Sequence, residues 1–134
     1  MQLMDNPKYT LPKSERISRK LILDKLFVDG KSFVVYPLRV VYLTCLEQQE
    51  EPAAMMVSVS KRKFKRAVKR NYIKRRVREA YRLNKHRLQL PLQIQNIAIA
   101  FLYLSTELKS FETLNSRMEV VMDQLNKKLC SEES

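Results

Sequence analysis

The chain has 134 residues, 45 % of them hydrophobic, which is enough for one self-sufficient core and excludes wholesale disorder. Its formal charge is +12, and it carries two widely separated cysteines, Cys45 and Cys130, so neither a disulfide framework nor a zinc site is legible. The longest apolar run, residues 97–104, is too short to span a bilayer, and Met1 to Asp5 lacks the apolar core of a signal peptide. A reducing, cytoplasmic setting and no membrane partner are expected, with residues 1–134 forming one domain frayed at 1–10 and 130–134.

In chain order, Ser18 can cap a helix reaching about Asp29, with Gly30, the only glycine, placed to end it. Ile22, Leu23, Leu26 and Phe27 share one face of that helix. Residues 33–36 and 38–44 favour strands, and Pro37 between them predicts a bend or an edge. The polar stretch 47–52 reads as an exposed loop, and residues 53–60 as a third strand. Residues 65–88 contain neither Pro nor Gly and read as a long helix, with Pro91 marking its limit. Residues 97–104 suit a buried strand. Over 106–129, Leu108, Phe111, Leu114, Met118, Val121, Met122, Leu125 and Leu129 recur at helical spacing and predict a final amphipathic helix. The order α-β-β-β-α-β-α, without repeat or linker, predicts an α+β single-domain structure with helices packed on the sheet.

Charge is concentrated in one segment. Residues 61–87 hold fourteen lysines and arginines against one acid, Glu79, whereas the remainder holds twelve bases and thirteen acids. On a helical projection, Ile73, Val77, Ala80, Tyr81 and Asn84 form one stripe, directed at the sheet. The opposite side carries Ala67, Asn71, Arg75, Arg78 and Arg82, edged by Lys74 and Lys85. Small residues in its first turns leave room for a phosphate backbone. An ordinary solvated helix face would mix signs to gain i, i+4 pairs, and this one does not. Such self-repulsion is relieved by a polyanion. Arginine predominates in the second half, and its guanidinium fork grips phosphates and stacks on exposed bases, which suits folded RNA.

The string Val57-Ser58-Val59-Ser60-Lys61-Arg62, followed by Ala67-Val68-Lys69-Arg70-Asn71-Tyr72-Ile73-Lys74-Arg75-Arg76-Val77-Arg78-Glu79-Ala80, resembles the signature of the bacterial ribonuclease P protein family. In that signature a strand ending S-V-(S or A)-K-(K or R) precedes a helix with A-x-x-R-N-R-x-K-R-x-x-R-E. The L-x-K opening at Leu11-Pro12-Lys13 also fits, and the resemblance covers residues 11–129. It implies an αβββαβα sandwich with a mixed four-stranded sheet and a left-handed β-α-β crossover, against the usual right-handed preference. It further implies that Lys61, Arg62, Lys65, Arg66, Arg70, Asn71, Lys74, Arg75, Arg78 and Arg82 meet a catalytic RNA. Leu23, Phe27, Val40 and Tyr42 would line a cleft for the single-stranded 5′ leader of precursor tRNA, where an aromatic can stack on unpaired bases. Plain core packing is the competing reading of these four. One departure stands out: the third residue of R-N-R is Tyr72, so that cation is absent, with Lys69, Arg66 and Arg76 nearby. At position 23, leucine replaces the aromatic frequent in the family.

No residue reads as catalytic and none as a metal ligand. A phosphodiesterase using its own metal ions needs clustered carboxylates, and the basic segment offers only Glu79. His86, between Lys85 and Arg87, reads as a helix-surface residue. A single glycine precludes a phosphate-binding loop of the G-x-x-x-x-G-K-(S or T) kind. The family resemblance implies magnesium held mainly by the RNA, ribonuclease P RNA and precursor tRNA as partners, and no obligate protein partner. A ribosomal or other structural RNA-binding protein would share the charge pattern, and an autonomous nuclease is a third, weaker alternative.

Overall fold

The computed structural model describes residues 26–44, 53–89 and 97–133. A helical segment, α1 (residues 26–29), leads into β1 (Lys31–Val35), β2 (Leu38–Thr44) and β3 (Ala53–Val59). Helix α2 (Ala67–Asn84), strand β4 (Ile97–Tyr103) and helix α3 (Phe111–Glu133) complete the expected order. The sheet is mixed, in the order β1-β2-β4-β3. β1 pairs antiparallel with β2 and β2 with β4, while β3 and β4 are parallel neighbours. Parallel neighbours need a long crossover, and α2 lies on it.

Local chemistry fixes the joints. Tyr36 and Pro37 form the two-residue turn between β1 and β2, with Val35 opposite Leu38. The Gly30 amide donates to the Leu26 carbonyl at 2.9 Å, closing α1. Gly30 does so without a left-handed backbone. Its need for a bare Cα is steric, since a Cβ there would stand 2.3 Å from the Leu26 oxygen.

Alternation sorts the strand residues onto two faces. Val40 and Tyr42 of β2, Met55, Val57 and Val59 of β3, and Ile97, Ile99, Phe101 and Tyr103 of β4 join one core. Helices α2 and α3 cover it with Ile73, Val77, Ala80 and Tyr81, and with Leu114, Met118, Val121, Met122, Leu125 and Leu129. On the other face, Leu26 of α1 packs with Val41, Ala98 and Ala100. Each fully buried large aliphatic contributes about 1.5–3 kcal/mol, so the face under α2 and α3 supplies most of the stability.

Several helix boundaries differ from expectation. α2 ends at Asn84 and continues as a 3-10 turn, Lys85–Arg87. Buried Asn84 stabilises this junction, donating to the Ala80 carbonyl at 2.8 Å and to Asn115 of α3 at 2.7 Å. α3 starts at Phe111 rather than 106, because the Ser110 hydroxyl accepts from the Thr113 amide at 3.1 Å as a cap. The preceding loop is pinned by the Tyr103 hydroxyl, which donates to the Glu107 carbonyl at 2.6 Å and accepts from the Lys109 amide at 3.1 Å. Leu108 thereby leaves the expected apolar stripe and is exposed. At its other end α3 runs to Glu133. Residues 1–10, Ser18, Leu23 and Pro91 lie outside the described residues.

Candidate nucleic-acid interface

The cationic surface starts where β3 ends. Ser60 organises the turn: its hydroxyl accepts from the Arg62 amide at 3.1 Å, and its carbonyl accepts from the Phe64 amide at 3.1 Å. Phe64 is buried beside Tyr103, with ring centroids 6.0 Å apart, and anchors the turn. Lys63 reaches across to the Leu104 carbonyl at 2.6 Å, tying the turn to the end of β4. Lys61, Arg62, Lys65 and Arg66 project into solvent around this knot.

α2 then begins without a side-chain cap and without an acid in its first turn. Its first amides point outward with the positive end of the helix dipole, among Lys65, Arg66 and Lys69. A natural helix start usually carries the opposite chemistry, an Asp or Ser cap and acidic neighbours. The combination favours an anion.

The predicted inward stripe of α2 is the observed one: Ile73, Val77, Ala80, Tyr81 and Asn84 are all buried. Ala67, Asn71 and Arg75 are exposed on the opposite side, with Lys74, Arg78, Arg82 and Lys85 half-buried along it. Asn71, Arg75 and Arg78 line one surface cavity of about 370 Å³ with Val68 and Tyr72. A second, of about 390 Å³, lies toward α3 and is lined by Tyr72, Arg75, Arg76, Glu79, Leu83 and Phe111.

Not every cation is equally available. Arg70 is a staple: its guanidinium donates to the Phe64 carbonyl at 2.8 Å and the Lys65 carbonyl at 2.9 Å, holding the turn against α2. Arg82 is paired with Glu79 through both carboxylate oxygens. That pairing holds the Glu79 carboxyl below its ordinary range, the Arg82 hydrogen bond outweighing a small opposing effect of burial. Arg87 approaches Glu119 of α3 at 4.0 Å. Among the described residues, no carboxylate lies within ion-pair distance of Lys61, Arg62, Lys65, Arg66, Lys69, Lys74 or Arg75.

The expected leader cleft needs a correction. Val40 and Tyr42 are 0 % and 3 % exposed and belong to the core beneath α2 and α3, on the sheet face away from α1. They cannot line an open groove with Phe27. Alternation puts Arg39, Val41 and Leu43 on the α1 side instead, and Val41 packs with Leu26 there. Phe27 itself is 51 % exposed. Leu23 lies outside the described residues.

The family model for ribonuclease P matches residues 11–126 of the chain. The chain belongs to the ribonuclease P protein family. It is 50 % identical over 115 residues to the ribonuclease P protein component of Porphyromonas gingivalis strain W83, covering 84 % of each chain. The ribonuclease P protein component of Chlorobium phaeobacteroides is 28 % identical over 128 residues, covering 87 % of this chain and 88 % of that one. The Staphylococcus aureus RNase P protein superposes with a TM-score of 0.67 at 20 % identity, over 83 % of this chain and 94 % of that one. The Thermotoga maritima RNase P protein gives 0.64 at 21 % identity, over 82 % and 96 %. At these identities the two structures show the family fold.

The structure also adds surface residues that sequence reasoning passed over. Arg39, with Val41 and Leu43, could have been found from parity, because a lone arginine in an apolar strand marks the open face. Leu83 and Phe111 meet Tyr72, already singled out as the departure from the family signature, only through the docking of α3 on α2, which no local pattern announces.

Proposed function

We propose that the chain is the non-catalytic protein subunit of a ribonuclease P holoenzyme, assisting endonucleolytic removal of the 5′ leader from precursor tRNA in the cytoplasm. The observation carrying this reading is the row of cations on the turn after β3 and on the outer side of α2, where Lys61, Arg62, Lys65, Arg66, Lys69, Lys74 and Arg75 have no carboxylate of the described residues within ion-pair distance. In a member of this family, that surface would lie against the phosphates of the catalytic RNA through Lys61, Arg62, Lys65, Arg66, Lys74, Arg75 and Arg78. The leader would run along the open sheet face beside α1, contacting Phe27, Arg39, Val41 and Leu43.

Chemistry is assigned to the RNA and its magnesium ions. The outer face of α2 does not fit a magnesium site, because Glu79, the one carboxylate on that helix, is engaged by Arg82 through both oxygens. Hard cations need several free oxygen ligands. What the protein supplies is neutralisation of closely spaced phosphates and a grip on unpaired substrate, both of which lower the magnesium concentration the RNA needs.

Reconstitution tests this directly. At low magnesium, the cognate catalytic RNA should cleave precursor tRNA only when the protein is present, and RNA-free protein should leave the substrate intact. Cleavage that ignores the protein would assign it a purely structural RNA-binding role. Cleavage by the protein alone would make it a nuclease.

A further inference from the structure

Tyr72 stands where the family signature has a cation, and its surroundings give that substitution a use. The Arg76 guanidinium carbon lies over the ring, 4.3 Å from its centroid, in a cation–π contact. The Arg76 Nε is buried with no hydrogen-bond acceptor among the described residues, an arrangement that native proteins seldom leave without a reason. The adjoining cavity, of about 390 Å³, has an apolar wall from Leu83 and Phe111. Leu83 is 37 % exposed, so this wall is open to a ligand from solvent.

Charge distinguishes this cavity from its neighbour. Tyr72 and Arg75 line both. The outer cavity adds Asn71 and Arg78 and contains no carboxylate. The inner one adds Arg76, whose guanidinium lies over Tyr72, together with the apolar Leu83 and Phe111 and the Arg82-paired carboxylate of Glu79, so it is the less cationic and the more apolar of the two. A ligand spanning the two would place its anionic part outside and a flat, uncharged part inside. An unpaired nucleotide has that division, and bases stack readily on aromatic rings and on arginine planes.

We infer that the cleft between α2 and the start of α3 receives an unpaired nucleobase against Tyr72, while the adjoining phosphates of the same RNA lie along Arg75 and Arg78. This deepens the RNA-interface reading above and rests on it. It makes the missing cation an exchange: one salt-dependent phosphate contact is replaced by a stacking contact that salt barely affects.

The experiment measures affinity of the full chain for its cognate catalytic RNA over a range of salt, for Tyr72→Leu, Tyr72→Phe and the double variant Arg75→Glu/Arg78→Glu. Leucine keeps an apolar side chain of useful bulk against α3 but removes the π face. Tyr72→Leu should bind roughly five- to a hundredfold more weakly, the range expected for loss of one stacked base. Its slope of log affinity against log salt should match that of the unmodified chain, and Tyr72→Phe should restore binding. Thermal unfolding confirms that each variant folds. Should Tyr72→Leu prove unstable, Leu83→Gln probes the same wall from an exposed position and should weaken binding a few-fold with the slope unchanged.

Three results overturn the base pocket while leaving the RNA interface standing: normal binding by Tyr72→Leu, a phenylalanine variant as weak as leucine, or a reduced salt slope. In each, the double variant still binds weakly. Normal binding by the double variant as well would overturn the underlying reading.

Discussion

The two sides of α2 obey different rules. Toward the sheet, Ile73, Val77, Ala80 and Tyr81 are buried against β3, β4 and α3, and Asn84 has its amide hydrogen-bonded. Toward solvent, cations gather with one carboxylate among them and no cap at the helix start. The inner side can hold the helix in place against the repulsion of the outer side, because a well-packed apolar stripe contributes several kcal/mol while like charges in water cost far less each. Folding and the proposed RNA binding are thereby assigned to opposite surfaces of one rod. The same division distinguishes the sheet faces: bulky residues are sealed beneath α2 and α3, and smaller ones, Ala98 and Ala100, lie on the side of α1.

Mutations should break this separation in graded ways. The largest effect on stability is expected from the inner side. Ile73→Ala leaves a cavity at a residue 2 % exposed and should lower unfolding free energy by about 2–5 kcal/mol in urea denaturation, with RNA affinity of the folded fraction unchanged. Arg70→Met crosses the divide. Losing its bonds to the Phe64 and Lys65 carbonyls should cost about 1 kcal/mol, reduced by partial exposure, and loosening the turn should also weaken RNA binding. A variant affecting both measurements marks Arg70 as a link between the sides.

The smallest effect concerns pH. The Glu79 carboxyl is held below its ordinary value of 4.5 by Arg82, so its contribution is present above that value and fades as pH falls through the lowered folded value. With the Glu79 side chain 46 % exposed, solvent screening keeps the contribution small. Between about pH 5 and 3, Glu79→Gln should lose stability less steeply than the unmodified chain, in denaturation midpoints taken across that interval. Parallel curves would show that the ion pair does not assist folding.

Much of this was legible in the residues, and the failures have physical causes. The phase of α2 could be read because its stripe alternates sharply with charge, so only one rotation buries the apolar set. Strand β2 gave no such help: Val40, Val41, Tyr42 and Leu43 are all apolar, and a run buried on both faces carries no phase. Assigning Val40 and Tyr42 to the α1 side was therefore a one-residue error in parity, and Arg39 was the residue that could have corrected it. The start of α3 moved to Phe111 because the Tyr103 hydroxyl holds a non-helical loop that the apolar spacing of Leu108 had suggested was helix. The cavity at Tyr72 depends on two helices meeting across long sequence separation. Periodicity within either helix contains no trace of it.

Affinity of the Arg75→Glu/Arg78→Glu chain for the catalytic RNA, measured against salt beside its urea stability, bears most directly on the division of α2 into a folding side and a binding side. The affinity should fall by about tenfold or more, and the salt slope should shrink by roughly two, while the denaturation midpoint stays in place. Unchanged affinity and slope, or a binding defect explained entirely by unfolding, would contradict it.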